Sequence, residues 1–506
     1  SIGNKADVNE CELLEYLLKD PETAVVGLYL ESFADGRRFI EICRSAEKPI
    51  VVLKGGKSAK GAAAAMSHTA SLAGNSAVIS GALAQAGVVE ATDFKQMLDL
   101  CRALSMYPKI PKKVTGGVAI LTYSGGAGIV SSDFIDKTTL SIADLSQKTK
   151  DALEIIYPEW MPVANPVDLW PAIERGGSEI AYGQAIKAVC DDPNVDAVFL
   201  HYYAGGVALN FDISSIVETA RKSRKPMFCW LMGEAEKAKE FQINTQNLGI
   251  PVYRELYRAV ECMAAVFERE KPESGGAGPC KVSAGTHEYL TKLHDSYGAL
   301  DEHVSKKILA GYSIPAVEEK LVDSAEDAVS AARLLGFPVV MKGVMPGGIH
   351  KTESGLVKLG ISSEEETGDL FSDLKVRMEG KGNVLVQRQI KGGLELIAGF
   401  MRDPQFGPCV MVGLGGIFAE ILKDTVFAVA PLSLQEALSM IGRLKSRKLL
   451  NGFRGFAPVD RESLANIIVN LGELGCGNPK IKEIDINPLI AVGKGLVAVD
   501  ATVILQ

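Results

Sequence analysis

The residues best suited to chemistry lie in Lys54–Gly74, KGGKSAKGAAAAMSHTASLAG, where a single histidine, His68, sits in a run of Gly, Ala and Ser behind three lysines. Small neighbours leave an imidazole unshielded and let other backbone approach it closely. Such a histidine is neutral near pH 7, nucleophilic, and able to accept a phosphoryl group and pass it on. The same composition also describes a Gly/Ala-rich loop and a small-residue helix with an exposed histidine, and the stretch alone leaves both readings open. Glu31 and Lys54 close two apolar runs, TAVVGLYL and PIVVL, which places both at strand ends facing the crevice of His68. A solvated loop acid is the plainer reading of Glu31.

Three further groups have suitable types and spacing. Ser124-Gly-Gly-Ala-Gly128 follows the apolar run GVAILTY and leads into a helical pattern from Ile129. A strand, a glycine turn and a helix start together make an anion site, because free N–H groups and the helix dipole converge there. The spacing is not G-x-G-x-x-G, which argues against a dinucleotide fingerprint. Met161–Trp170 reads as a loop holding Asn165 and Asp168, and Trp160, Asn165 and Trp170 are candidates for shaping a substrate site. Gly343–Gly355 reads as a long glycine-rich loop with His350 and Lys351, entered from a strand, PVVMK, that ends in Lys342. Near the end, EIDINPL and LVAVD place Asp485, Asn487 and Asp500 on adjacent strands. Magnesium takes oxygen ligands, typically one or two carboxylates with phosphate oxygens. The set fits a magnesium-nucleotide site, whereas turn chemistry accounts for any one of the three alone.

The elements that must position these groups follow from periodicity. Over residues 1–105, helix signals at Glu10–Leu18, Gly36–Ala46, Ala82–Ala86 and Phe94–Leu104 alternate with strand signals at Thr23–Leu30, Pro49–Leu53 and Val88–Glu90. Alternation of this kind implies a parallel sheet with ligands beyond the carboxyl ends of its strands. Tyr107–Thr115 is a Pro/Lys linker, and a second α/β unit follows, with strands at Gly117–Tyr123, Ala197–His201 and Pro226–Leu231 and a closing helix at Glu255–Phe267. The Gly/Pro/Ser-rich Lys271–Thr286 reads as the linker to a third block. That block is mixed: Gly392–Phe400 alternates like a hairpin partner of Asn383–Gln389, and Gly407–Ile417 with Phe418–Leu422 continues the antiparallel pattern. The expected division is 1–110, 111–270, a linker at 271–286, and 287–506.

With 506 residues the chain is too long for one core. A net charge of −8 without a long basic run argues against a nucleic-acid surface. Nine cysteines scattered singly read as reduced thiols of a cytoplasmic protein, and no apolar stretch reaches membrane-spanning length.

Taken together, GKSAKGAAAAMSHTASLAG, LTYSGGAG, NPVDLWP, IHKTESGLVKL, FGPCVMVGLGGI, GFRG and EIDINPL resemble the NDP-forming acyl-CoA synthetases, the acetate–CoA ligase (ADP-forming) group within the succinyl-CoA synthetase superfamily. The resemblance covers essentially the whole chain. It implies two flavodoxin-like parallel α/β domains followed by an ATP-grasp α+β domain, and a reversible synthesis of acyl-CoA, ADP and phosphate from a carboxylic acid, CoA and ATP. By resemblance, His68 is phosphorylated in turn by an acyl phosphate and from the nucleotide, with Glu31 orienting it and Ser124, Gly125, Gly126 and Ala127 binding its phosphate. Lys342 corresponds to the lysine on the nucleotide phosphates, Gln387, Gln389 and Ile390 to the hinge beside the adenine, and Glu395 to the acid that follows. Asn487 and Asp500 correspond to the Mg²⁺ ligands, and His350 to a second histidine that relays phosphate between His68 and the nucleotide. The family begins with a CoA-binding domain, and Ser1 corresponds to a point after it, so the resemblance implies a CoA-binding domain missing from this chain. A homodimer is the expected assembly, with neither nucleic acid nor membrane as partner. Two rivals belong to other classes. One is an inactive synthetase-like sensor region of a protein acyltransferase, which His68 disfavours; the other is a stand-alone ATP-grasp subunit, which the pairing of His68 with Ser124–Gly128 disfavours.

Overall fold

The computed structural model describes residues 2–3, 5, 7–58, 60, 75–109, 115–205, 218–219, 221–269, 297–345, 355–416, 424–453, 457–493 and 495–506. His68, His350, Lys351, the Lys271–Thr286 linker and Phe418–Leu422 lie outside the described residues. No described helix is long and apolar enough to cross a membrane.

The first unit runs α1 (Glu10–Lys19), β1 (Val26–Leu30), α2 (Gly36–Ser45), β2 (Ile50–Lys54), α3 (Ser76–Gln85), β3 (Val89–Ala91) and α4 (Phe94–Met106). Asn9 starts α1 by accepting from the Cys11 and Glu12 N–H groups while Glu12 reaches back to the Asn9 N–H, a reciprocal cap that satisfies donors the helix leaves open. The three strands are parallel in the order β1–β2–β3, with Leu30 opposite Lys54. Both therefore end at the same edge of the sheet, as the alternation implied.

The second unit comprises β4 (Gly117–Thr122), α5 (Gly125–Ile135), β5 (Ser141–Ile142), α6 (Gln147–Glu154), β6 (Val167–Asp168), α7 (Trp170–Gly176), α8 (Ser178–Asp191), β7 (Ala197–Ala204), β8 (Met227–Gly233), α9 (Ala235–Asn247), β9 (Val252–Tyr253) and α10 (Leu256–Glu268). Its strands are parallel in the order β5–β4–β7–β8–β9, with β6 beside β4. β4 is buried along its whole length, which is why it reads as a continuous apolar run. Two expectations need correction. The helix after the glycine turn begins at Gly125 rather than Ile129, because Ser124 caps it and the glycines are its first turn. Met161–Trp170 is not all loop: Val167–Asp168 pairs with β4, and Trp170 opens α7. Leu100, Ala103 and Leu104 of α4 and Val260 and Met263 of α10 share one apolar core with Val51, Leu53, Val118 and Ile120, so these helices join the two sheets.

The third block carries β10 (Gly298–Ala299), α11 (Glu302–Gly311), β11 (Glu319–Val322), α12 (Ala325–Leu335), β12 (Val339–Val344), β13 (Val357–Ile361), α13 (Glu364–Arg377), β14 (Asn383–Arg388), β15 (Leu394–Asp403), β16 (Gly407–Leu414), β17 (Thr425–Val429), α14 (Leu434–Gly442), α15 (Arg461–Gly477), β18 (Ile481–Val492), β19 (Gly495–Ala498) and β20 (Ala501–Leu505). It has two sheets, ordered β11–β14–β12–β13 and β10–β20–β18–β15–β16–β17, with β19 on β18. β15 is not the hairpin partner of β14: it pairs antiparallel with β16 and β18 in the larger sheet. Alternation identifies two differently covered faces but not the neighbouring strand. β12 likewise does not end at its lysine, because pairing with β14 continues to Val344 opposite Asn383 and leaves Lys342 inside the strand.

The first unit and the larger sheet of the third are joined by a shared core in which Phe39, Ile79 and Leu83 meet Phe406, Cys409, Phe427 and Val429. α3 lies so close to the edge strand β17 that a Cβ on Gly81 would stand 2.1 Å from the Phe427 carbonyl oxygen. Gln85 completes the joint: its Oε1 accepts from the Val429 N–H at 2.7 Å and its Nε2 donates to the Val429 carbonyl at 2.9 Å. Arg37 donates to the Ala430 carbonyl, and Arg44 pairs with Glu436.

Candidate functional site

At the carboxyl edge of the first sheet, Glu31 follows β1 and Lys54 closes β2. The Tyr29 hydroxyl donates to Glu31 Oε1 at 3.1 Å. Lys54 Nζ donates to the Glu31 carbonyl at 2.7 Å and to the Gly55 carbonyl, so the lysine fixes the backbone from which the acid projects. Burial, and then the nearby Lys57, hold the Lys54 ammonium below the usual lysine range. Glu31 Oε2 is buried and has no partner among the described residues. An unpaired buried carboxylate oxygen costs free energy until a donor reaches it, and an imidazole N–H is a suitable donor.

At the corresponding edge of the second sheet, Ser124 caps α5, its Oγ facing the Ala127 N–H at 3.5 Å. The Gly125 and Gly126 N–H groups belong to the first turn of a helix, where donors are unspent. Glycine is required at two positions by crowding: a Cβ on Gly125 would lie 2.8 Å from Asp168 Oδ2, and one on Gly128 would lie 2.9 Å from Pro166. Asn165 does not shape a substrate site. Its amide is spent on the Ile120 N–H and the Val118 and Ala143 carbonyls, clamping β4 to the segment after β5 and setting Pro166 against α5. Trp160 and Trp170 remain exposed.

The third group is a chain of charges between the two sheets of the last block. Lys342 Nζ donates to Glu302 Oε1 at 2.7 Å, to Asp500 Oδ2 at 3.1 Å and to the Val499 carbonyl at 3.3 Å. The same Glu302 oxygen accepts from Lys306 Nζ at 2.6 Å, and Lys306 also reaches Glu319 at 2.7 Å and Gln387 Oε1 at 3.0 Å. His303 extends the chain to Glu319 at 2.7 Å. Burial pulls the Lys342 ammonium down, but the Glu302 and Asp500 carboxylates outweigh it and leave it raised. Lys342 is therefore a fixed cation, already engaged by three acceptors.

Asn487 N–H in β18 donates at 3.2 Å to the carbonyl of Asp500, which lies in the bend between β19 and β20 and not on a strand, so these two expected metal ligands are neighbours. The surrounding protein and then the like charges of Glu483 and Asp500 raise Asp485 above the usual carboxylate range. That crowding of acids fits a divalent cation, which would relieve it. No group of three His, Cys, Asp or Glu that could hold a metal ion occurs among the described residues.

The structure thus brings together Lys342, Gln387, Asp500 and Asn487 and keeps Glu31 and Ser124–Ala127 at the edges of two other sheets. Gln387 lies inside β14 between β11 and β12, opposite Glu319 and Val340, with its side chain buried on Lys306. Gln389 Oε1 accepts from the Gly360 N–H at 3.1 Å, and Ile390 is half-buried just beyond β14. Glu395 is the second residue of β15, its carboxylate packed against the turn at Gly416. Sequence reasoning missed Glu302, Lys306 and Glu319. Their only sequence signal is the Glu302–Lys306 spacing of four within a helix. It also missed Thr122 and His201, discussed below.

Residues 291–505 match the model of an ATP-grasp domain, and residues 1–104 that of the succinyl-CoA ligase like flavodoxin domain. The chain is 33% identical over 520 residues to an ADP-forming acetate–CoA ligase I of Archaeoglobus fulgidus, covering 100% of this chain and 73% of that protein. It is 33% identical over 515 residues to an ADP-forming 4-hydroxybutyrate–CoA ligase of Nitrosopumilus maritimus, covering 98% of this chain and 72% of that protein. It is 29% identical over 528 residues to a trans-feruloyl-CoA synthase of an unknown prokaryotic organism, covering 100% of this chain and 72% of that protein.

Proposed function

The chain belongs to the ADP-forming CoA ligases, and from that premise we propose that it joins a carboxylic acid to CoA at the expense of ATP, releasing ADP and phosphate, and runs the same reaction in reverse. It is an enzyme of two flavodoxin-like parallel α/β domains followed by an ATP-grasp domain. We divide it at 1–110, 111–270 and 287–506, a reading the matched regions 1–104 and 291–505 support.

The observation that carries the assignment of the nucleotide site is the buried chain Gln387–Lys306–Glu302–Lys342–Asp500. It sets a fixed cation beside an acid and an amide of the type magnesium takes. ATP or ADP is the nucleotide, with Lys342 on its phosphates and Gln387, Gln389, Ile390 and Glu395 along its hinge side. Mg²⁺ held by Asn487 and Asp500 would neutralise phosphate charge. Because Lys342 already has three acceptors, nucleotide phosphate must displace one of them, and Asp500 is the one with an alternative use as a metal ligand.

In the synthesis direction the acid ends as an acyl phosphate, which CoA sulfur attacks, expelling inorganic phosphate. The phosphoryl group reaches the acid from ATP on nitrogen. His68 attacks phosphorus and later gives the group up to the carboxylate. Glu31 accepts the N–H of that imidazole through the oxygen left unpartnered, which makes the other nitrogen the nucleophile. Ser124, Gly125, Gly126 and Ala127 receive the transferred phosphate on unspent N–H groups. His350 relays phosphate between the nucleotide and His68. We further take the working form to be a cytoplasmic homodimer, as the resemblance implies.

The acid differs among the relatives by their names: acetate, 4-hydroxybutyrate and ferulate. A panel of such acids with ATP, Mg²⁺ and CoA, analysed by chromatography, tests the reading. The expected outcome is acyl-CoA, ADP and phosphate in equal amounts for at least one acid. Formation of AMP and pyrophosphate would contradict it.

A further inference from the structure

We infer that Thr122 and His201 are positioning residues for the Ser124–Ala127 turn, which they hold through a single buried chain of hydrogen bonds. The inference rests on the reading of that turn as a phosphate site.

β4 and β7 are adjacent, with Leu121 opposite Leu200, so Thr122 at the end of β4 stands beside His201 within β7. Thr122 Oγ1 donates to the Ser124 carbonyl at 2.8 Å and accepts from the Ser124 N–H at 3.0 Å. It also lies 2.9 Å from His201 Nδ1, and His201 Nε2 lies 3.1 Å from Ser131 Oγ. A hydroxyl has one proton. Thr122 gives its proton to Ser124, so toward His201 it is an acceptor and Nδ1 carries the hydrogen. Nε2 then bears a lone pair, and Ser131 donates to it. With the Thr122 proton on the Ser124 carbonyl, the tautomer is the Nδ1–H form.

His201 is fully buried, with the rings of Phe199 and Trp230 set nearly perpendicular to its own. Burial lowers its pKa to about 3, so the imidazole is neutral at any working pH and the chain keeps one direction.

A buried histidine with two partners is commonly plain core structure. Here the chain ends on both backbone groups of Ser124, the residue that caps α5. Fixing the N–H and C=O of a cap fixes where the next N–H groups point. Those belong to Gly125 and Gly126, in a turn crowded by Asp168 at Gly125 and by Pro166 at Gly128. Displacements below an ångström matter for donors that must meet phosphate oxygens.

The test uses the 506-residue chain and inorganic phosphate as probe. Thermal melting is followed against phosphate concentration with saturating ADP filling the nucleotide site. Thr122→Val keeps shape and removes the hydroxyl, and Thr122→Ser restores it. His201→Asn puts its amide nitrogen near the position of Nδ1, whereas His201→Gln puts it near Nε2. Wild type, Thr122→Ser and His201→Asn should show phosphate-dependent rises in Tm. Thr122→Val and His201→Gln should bind phosphate roughly tenfold more weakly, the loss of about one hydrogen bond. All five proteins should keep the ADP-dependent rise, which reports folding and the nucleotide site. Wild-type phosphate affinity in Thr122→Val or His201→Gln would overturn the inference while leaving the turn's role intact. Equal damage in His201→Asn and His201→Gln would also overturn it, because His201 would then act by bulk. A wild type that answers ADP but not phosphate would remove the phosphate reading of the turn, and the inference with it.

Discussion

At the scale of single residues, the buried titratable groups make sharp predictions because their partners are countable. His201 has a folded pKa of about 3 against an ordinary 6.5. Between these values the unfolded chain binds a proton that the folded chain refuses, so stability is fully present above pH 6.5 and falls toward pH 3. The slope from this group is about 1.4 kcal/mol per pH unit. His201→Asn should flatten the dependence of urea-unfolding free energy on pH across that window; an unchanged slope would contradict the burial of a neutral imidazole. Glu302 makes the second case, since one of its oxygens serves both Lys306 and Lys342. Glu302→Ala should cost about 3 kcal/mol, because it takes from two buried cations the carboxylate they share and leaves each with fewer acceptors. Urea denaturation of the variant measures this directly. The sequence made Glu31 and Lys54 legible because the last residue of a parallel strand and the one beyond it must face the ligand edge. It hid Glu302, Lys306 and His201. A Glu–Lys pair four apart looks the same on a solvated helix as in a core, and an apolar run such as AVFLHYYA does not say whether its histidine has partners.

At the scale of elements, α3 ties the unit that carries Glu31 to the sheet that carries Asn487. Its contact with the edge strand β17 substitutes for a missing strand neighbour: Gln85 offers β17 the donor and acceptor that another strand would supply. Gln85→Leu should leave the Val429 N–H and C=O unpaired and destabilise the chain by about 1–3 kcal/mol, measured as a shift in the urea midpoint. The sequence predicts α3 as a helix but cannot predict this role, because docking of one unit on another leaves no periodicity. For the same reason β15 read as a hairpin partner of β14, although it lies in another sheet. The glycine turn shows the opposite case. The sequence reads Ser124–Gly128 as a helix start with free N–H groups, and the structure adds that Asp168 crowds Gly125 and Pro166 crowds Gly128. Asn165 reads as a site candidate because Met161–Trp170 reads as a loop; its amide instead bonds the backbone of β4 and the segment after β5.

At the scale of the whole molecule, three groups with complementary chemistry stand apart: an acid with an unpartnered oxygen at one sheet edge, a helix start with unspent N–H groups at another, and a cation chained to acids between two further sheets. No single group suffices for joining an acid to CoA with ATP, and a phosphoryl carrier is what links them. His350→Ala should block labelling of the enzyme by ATP while leaving labelling by acetyl phosphate intact; normal labelling from ATP would remove the relay. The central claim is that His68 is the carrier. Incubation of the chain with γ-labelled ATP and Mg²⁺, beside His68→Asn, tests it most directly. The account predicts an acid-labile, base-stable label on the wild type and none on the variant. Equal labelling of both proteins, or a wild type that binds ATP and takes no label, would contradict it.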